Sequence, residues 1–382
     1  MTGSTTLSVY WDETFVEHNP PEGSFNIPSH ELVLEDEAHP DCPERVKNIK
    51  HIIEKQLGEL TSWKSVTKAT PEQLQRVHDA ELLHEFKEFT ENGGGRLQTA
   101  TFTGANEHSC EAATAASGAA IQAAAEAVDT GAETVPYALV RPSGHHAQPD
   151  QMDGYCFFNN VAVAAEHLLS TGAVDDIAII DWDVHHGNGT QEIFYDRDDL
   201  LFISLHADHR SWGEWHPQTG LPQEKGVDDG EGYNINIPLP HGAGNDGYDY
   251  VMNRLVEPVI RDFDPGMIIV SAGQDAGVMD PLARMVLTKP GFENLGAKAQ
   301  SYARRYANGQ LAIVQEGGYQ PSHLAFATLG VLEGALGVET GVKQDPFALY
   351  PEENLDDVVK AAHETGTVLA EHWPIQFGDQ ET

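Results

Sequence analysis

The chain is poor in positive charge. It has 22 Lys plus Arg against 60 Asp plus Glu in 382 residues, a formal net charge of −38. Such a surface repels phosphate backbones, which argues against direct binding of DNA or RNA, and it attracts cations. Cysteine is nearly absent. Cys42, Cys110 and Cys156 are too few for a disulfide framework, and no C-x-x-C pair offers a thiolate metal site. No apolar run approaches the roughly 18 residues of a membrane span, so no membrane partner is expected. Residues 1–10 lack the basic and apolar stretches of a signal peptide, so the expected location is cytoplasmic. No repeat of fixed period or long low-complexity linker divides the chain, and one catalytic domain over residues 1–382 is expected. The acid excess is spread along the sequence. That suits a halophilic protein, because concentrated salt screens self-repulsion.

Against these absences stand five short apolar runs, at 137–140, 177–180, 201–205, 267–270 and 311–314. Each is aliphatic or β-branched without polar alternation, as strands buried on both faces are. Helical patterns lie at about 159–169, 245–263 and 291–307, and an Ala-rich run at 112–127 reads as a packed helix. Alternation of strand and helix predicts an α/β fold: a single domain with a central, mostly parallel sheet and helices on both faces. The first 100 residues are less regular, with a loop at Gly93, Gly94 and Gly95.

The residues just after these runs are chemically loaded. His145 and His146 follow the first, Asp181, Asp183 and His185 the second, Asp275 the fourth and Tyr319 the fifth. Parallel sheets bind ligands beyond the carboxyl ends of their strands, so these groups are expected to converge. Asp183 and His185 are two apart and would share one side of extended backbone, as would Asp181. With Asp275 they offer N and O ligands for a catalytic metal with one position left open. The tandem histidines suit acid–base work beside a metal. Each needs a partner to fix its tautomer, and Asp181 and Asn188 are candidates. An anionic partner raises a His pKa more than a neutral one, so the two would differ in role. Tyr319, after Gly317 and Gly318, can donate its hydroxyl to a developing oxyanion.

These motifs resemble the histone deacetylase superfamily of the arginase–deacetylase fold. The matching stretches are RPSGHHA at 141–147, GYCFFNN at 154–160, DWDVHHGNGT at 181–190, SAGQDA at 271–276 and EGGY at 316–319. Asn188 resembles class II members, and MDPLARM at 279–285 resembles the bacterial histone-deacetylase-like amidohydrolases.

The resemblance implies zinc at Asp183, His185 and Asp275, with His146 as general base, His145 as its electrostatic or acid partner, and Tyr319 as carbonyl polariser. It implies a structural potassium ion held by the side chains of Asp181, Asp183 and Ser204 and the carbonyls of His185 and Leu205. A second potassium would lie near Phe194, Arg197 and Leu200. Gly154, Tyr155, Trp215 and Gly318 would line the substrate. The implied reaction is zinc-dependent hydrolysis of the acyl amide of an acylated lysine peptide. An acetylpolyamine amidohydrolase and an arginase-like ureohydrolase are the alternatives. Bacterial members suggest a homo-oligomer, dimer or tetramer. Three positions depart from the family pattern: Gln274 where Phe is usual, Gly277 where many members carry His, and Gln320 in place of Asn.

Overall fold

The structure is a computed structural model, and it describes residues 5–97, 103–212, 218–346 and 352–377. Ten strands are present among them: β1 (Thr6–Tyr10), β2 (Thr61–Lys64), β3 (Gly95–Arg96), β4 (Gly104–Ala105), β5 (Thr134–Ala138), β6 (Ile177–Asp181), β7 (Leu200–Ala207), β8 (Asn234–Leu239), β9 (Met267–Ala272) and β10 (Leu311–Gln315). Eight of them form one sheet in the order β2-β1-β5-β10-β9-β6-β7-β8, and each neighbouring pair is parallel. β3 and β4 pair separately and antiparallel.

Alternation along the central strands explains why they are apolar throughout. In β6, Ala178 and Ile180 enter one core while Ile177 and Ile179 enter the other. β9 divides likewise, with Ile268 and Val270 against Met267 and Ile269. The first core lies under helices Glu44–Gln56, Lys289–Tyr306 and Pro321–Leu336. The second lies under the Ala-rich helix Ser109–Thr130 and helix Asn160–Thr171. Both faces are covered, as the sequence pattern predicts.

Element limits moved in places. The run at 137–140 belongs to a strand that starts at Thr134 and ends at Ala138, with Leu139 and Val140 buried beyond it. Asn159 caps its helix by accepting from Ala162 N–H at 3.0 Å. The helix expected over 245–263 is two α-segments joined by a π turn, Met252–Val256. Pro258 follows the turn and has no N–H to return to the preceding carbonyls, which accounts for the shift in hydrogen-bond register. No described helix is long and apolar enough to cross a membrane.

Candidate active site

The four loaded strands β5, β10, β9 and β6 are consecutive in the middle of the sheet. Because they are parallel, their carboxyl ends open on one edge, and the polar residues after them meet there. From β6 the convergence is reached differently than extended backbone would give. The strand ends at Asp181, and the chain then turns. Asp181 Oδ1 accepts from Asp183 N–H at 3.0 Å, and Asp183 Oδ1 from His185 N–H at 2.9 Å. Each carboxylate thus caps the amide two residues on, a turn habit of Asp.

Asp183, His185 and Asp275 each bring a ligand atom within 4.8 Å of the others. His185 Nδ1 lies 3.2 Å from Asp183 Oδ1 and 3.0 Å from Asp275 Oδ2. Gly317 makes room for them: a Cβ there would come within 2.4 Å of Asp275 Oδ2 and 2.5 Å of Asp183 Oδ2. Its N–H donates to Asp183 Oδ2 at 2.8 Å. Val184 N–H donates to Asp275 Oδ1 at 2.8 Å. Asp181, Asp183, Asp275, Asp280 and Glu316 are all buried. Burial and then the Asp183 charge raise Asp275 to about 6. Burial, opposed by His145, raises Asp181 to about 6, and burial raises Glu316 to about 7. Burial and Asp275 raise Asp280 to about 8. These five buried carboxylates outnumber the imidazoliums of His145 and His185 among them, and a divalent cation between Asp183, His185 and Asp275 fits both the donors and the remaining deficit.

The tandem histidines have separate partners. His145 Nδ1–H donates to Asp181 Oδ2 at 2.9 Å, and His146 Nδ1–H to Asn188 Oδ1 at 2.6 Å. Their rings lie 4.0 Å apart. Burial disfavours the charged form of His145, but Asp183 and Asp181 outweigh it and hold its pKa well above the ordinary value. Burial, then the positive charges of His145 and His185, hold His146 well below it. Glu316 steadies the turn that carries them, with Oε2 accepting from Gly144 N–H at 2.7 Å and His145 N–H at 3.3 Å. Gly154 lies against the ring of His146, where a Cβ would meet Cδ2 at 2.2 Å.

Tyr319 faces this group from β10. Its ring lies 6.5 Å from that of His185 and 5.6 Å from that of Tyr155. Burial pushes its phenol well above the ordinary value, partly offset by Arg45, so it stays a hydrogen-bond donor. Its N–H donates to Asp280 Oδ2 at 2.6 Å. Tyr155 holds φ of +68° without being glycine, a costly conformation that marks a constrained position.

Several further residues of the site carry no strand-end signal of their own in the sequence. Buried Arg45 lies 4.6 Å over the Tyr319 ring and donates to the carbonyls of Gly318 at 2.5 Å and Glu316 at 2.6 Å. It also pairs with buried Asp41, which accepts from Arg141 Nε at 2.9 Å. Arg141, Asp280 and Glu316 stand inside matched motifs. Arg45 and Asp41 come from the irregular first 100 residues, with no strand end to flag them.

The remaining expected residues are spread more widely. Asp181 and Ser204 are register partners on β6 and β7, with Leu205 next in β7. Ser204 Oγ also bonds His206 Nδ1 at 2.9 Å. Phe194 ends helix Asn188–Phe194, and its carbonyl accepts from Arg197 N–H at 3.1 Å. Leu200 opens β7 nearby, while the Arg197 guanidinium is engaged by Asp199 at 2.6 and 2.7 Å. Trp215 lies outside the described residues.

Two of the three departures are structurally linked. Gln320 Oε1 accepts from His323 N–H at 2.6 Å, and the His323 ring fills the space beside Gly277, where a Cβ would meet Nε2 at 2.3 Å. A histidine from the helix Pro321–Leu336 thus occupies the room that Gly277 leaves. Gln274 accepts from Gln315 Nε2 at 2.7 Å, and Gln315 accepts from the Tyr137 hydroxyl at 2.6 Å.

The family described as histone deacetylase domain matches residues 39–335. Histone deacetylase 8 of Arabidopsis thaliana is 40% identical over 356 residues, covering 92% of this chain and 93% of that protein. A histone deacetylase-like amidohydrolase of Pseudomonas aeruginosa is 39% identical over 343 residues, 88% of each. A probable deacetylase of Archaeoglobus fulgidus is 36% identical over 330 residues, 85% of this chain and 89% of that one. Among solved structures, the HDA15 HD domain superposes with a TM-score of 0.83 at 28% identity, covering 97% of this chain and 96% of that one.

Proposed function

The chain belongs to the histone deacetylase family, and we propose on that premise that it is a zinc-dependent hydrolase of the acyl amides of lysine side chains. One observation carries the reading: two adjacent buried histidines, one bonded to Asp181 and the other to Asn188, stand beside a three-donor metal group. Asp183, His185 and Asp275 would hold the zinc. When bound, zinc supplies Lewis acidity and makes water acidic enough to attack at neutral pH.

The chain's own groups do the rest. His146 is neutral, and its Nδ1–H is committed to Asn188, so Nε2 is the free lone pair that takes a proton from the attacking water. His145, kept cationic by Asp183 and Asp181, stabilises the negative charge that develops. The Tyr319 hydroxyl donates to the carbonyl oxygen as it becomes an oxyanion. The proton taken by His146 then passes to the leaving amine. Potassium beside Asp181 and Ser204 is part of the same proposal, as a structural ion.

The test is turnover of an acetyl-lysine peptide by the full chain. Chelation should abolish it, and added zinc should restore it. Tyr319→Phe should lower kcat by about 10²–10³-fold, the usual loss of one oxyanion donor. Activity that survives both treatments would overturn the scheme. The acidic surface equally suits an acetylpolyamine, so acetylputrescine belongs in the same assay.

A further inference from the structure

A closed circuit of contacts joins Tyr319 to the turn that carries Asp275, and a histidine that no step of the proposed reaction uses completes it. The turn runs from Gln274 to Asp280. Gly277 N–H donates to the Gln274 carbonyl at 3.1 Å, and Asp280 N–H to the Gly277 carbonyl at 2.9 Å. Asp275 stands near its start as a candidate metal ligand. Asp280 ends it and accepts from Tyr319 N–H at 2.6 Å. Leu287 pins one side of the turn. Its carbonyl accepts from Val278 N–H at 2.8 Å, and its N–H donates to the Ala276 carbonyl at 3.1 Å.

His323 covers the other side. Its ring is buried, and a Cβ on Gly277 would overlap Nε2 and Cδ2. Only glycine lets the turn lie this close. His323 stands four residues after Tyr319, in the first turn of helix Pro321–Leu336. Gln320 Oε1 fixes that turn by accepting from His323 N–H at 2.6 Å. The ring is held from behind as well, since Nδ1–H donates to the buried carboxylate of Asp345. Burial outweighs Asp345 and lowers the pKa of His323, so the ring is neutral. A leucine would fill the same space without the desolvation cost of a polar pair. What the pair supplies instead is direction: Asp345 keeps one edge of the ring against Gly277.

We propose that His323, oriented by Asp345, is a positioning residue for the reaction. Its ring sets the depth of the Gln274–Asp280 turn. It thereby places the Asp275 carboxylate and, through Asp280, the backbone that carries Tyr319. This rests on the deacylase reading above and deepens it. Groups behind a metal ligand hold it in the geometry the ion requires, and their loss costs about 10–100-fold in metal affinity or activity.

The test uses the full chain and three readouts: zinc affinity by competition with a chromophoric chelator, kcat and KM on an acetyl-lysine peptide, and the thermal midpoint. His323→Ala should weaken zinc and lower kcat by about tenfold each, with KM within about twofold of the parent. Gly277→Ala drives a methyl into the ring and should act in the same direction. In Gly277→Ala/His323→Ala the methyl enters vacated space, so the pair should bind zinc better than Gly277→Ala alone. Asp345→Ala should follow His323→Ala. Asp345→Asn, whose amide oxygen still accepts from Nδ1–H, should recover most of that loss. The two Asp345 variants decide the matter if His323→Ala does not fold. The proposal is overturned if these variants lower the thermal midpoint but bind zinc as the parent does. It is also overturned if the losses in the double variant simply add. A parent that binds zinc and turns over no acyl-lysine peptide would sink the deacylase reading, while the zinc affinities would still decide the role of His323.

Discussion

His145 and His146 are neighbours in sequence but differ in charge: burial disfavours both imidazoliums, Asp183 and Asp181 overcome it at His145, and the charges of His145 and His185 add to it at His146. Asp181 is an anion and Asn188 is neutral, so each imidazole receives a different bias from a bond of similar length. The sign of the pH dependence follows. His146 works as a neutral base, and its pKa lies below the ordinary value, so kcat/KM rises with pH through that lowered value and then levels. Asn188→Asp puts a carboxylate on Nδ1, favours the imidazolium and raises the pKa. The acid limb should then move to higher pH, so activity falls at about pH 6 and is largely kept at about pH 9. A pH profile of kcat/KM checks this, and an unmoved limb would mean that Asn188 does not set the base. These residues were legible in the sequence because each follows an apolar strand. Arg45 was not, because its role depends on carbonyls of Glu316 and Gly318, 271 and 273 residues away.

At the scale of elements, the same rule separates what was legible from what was not. β6, β9 and β10 are buried on both faces and read as plain apolar runs. β2 lies at the sheet edge and is half exposed, and β8 places Asn234 and Asn236 inside, so neither carries that pattern. Asn236 donates to Gln191 at 2.7 Å, a partner no local window contains. The helices Lys289–Tyr306 and Pro321–Leu336 show the converse. Their backbones nearly touch, since a Cβ on Gly334 would meet the Glu293 carbonyl at 1.9 Å. A buried ion pair, Lys289 with Glu333, crosses this contact. Lys289→Met leaves Glu333 as a buried, uncompensated charge and should cost about 3–5 kcal/mol in denaturant unfolding. Adding Glu333→Leu should recover most of that loss. A single variant as stable as the parent would show that the pair is not desolvated in solution.

For the whole molecule, charge works on stability and on substrate capture in opposite directions. A net charge of −38 repels itself, and of the 22 cationic side chains Arg45, Arg141 and Lys289 are buried away from the surface acids. Salt should therefore stabilise the fold. The Debye length falls from about 10 Å at 0.1 M to about 3 Å at 1 M, so repulsion between separated surface carboxylates is screened. The thermal midpoint should rise over that range, equally in sodium and potassium chloride, because screening does not distinguish the cations. A structural potassium site would add a second, potassium-specific rise that saturates at low concentration. Over the same range KM for a basic acetyl-lysine peptide should increase, because the attraction that gathers it is screened too. Differential scanning calorimetry and steady-state kinetics in the two salts separate these effects. A midpoint indifferent to salt would mean that the acidic surface carries no repulsive cost, and the halophilic reading of the composition would fall with it.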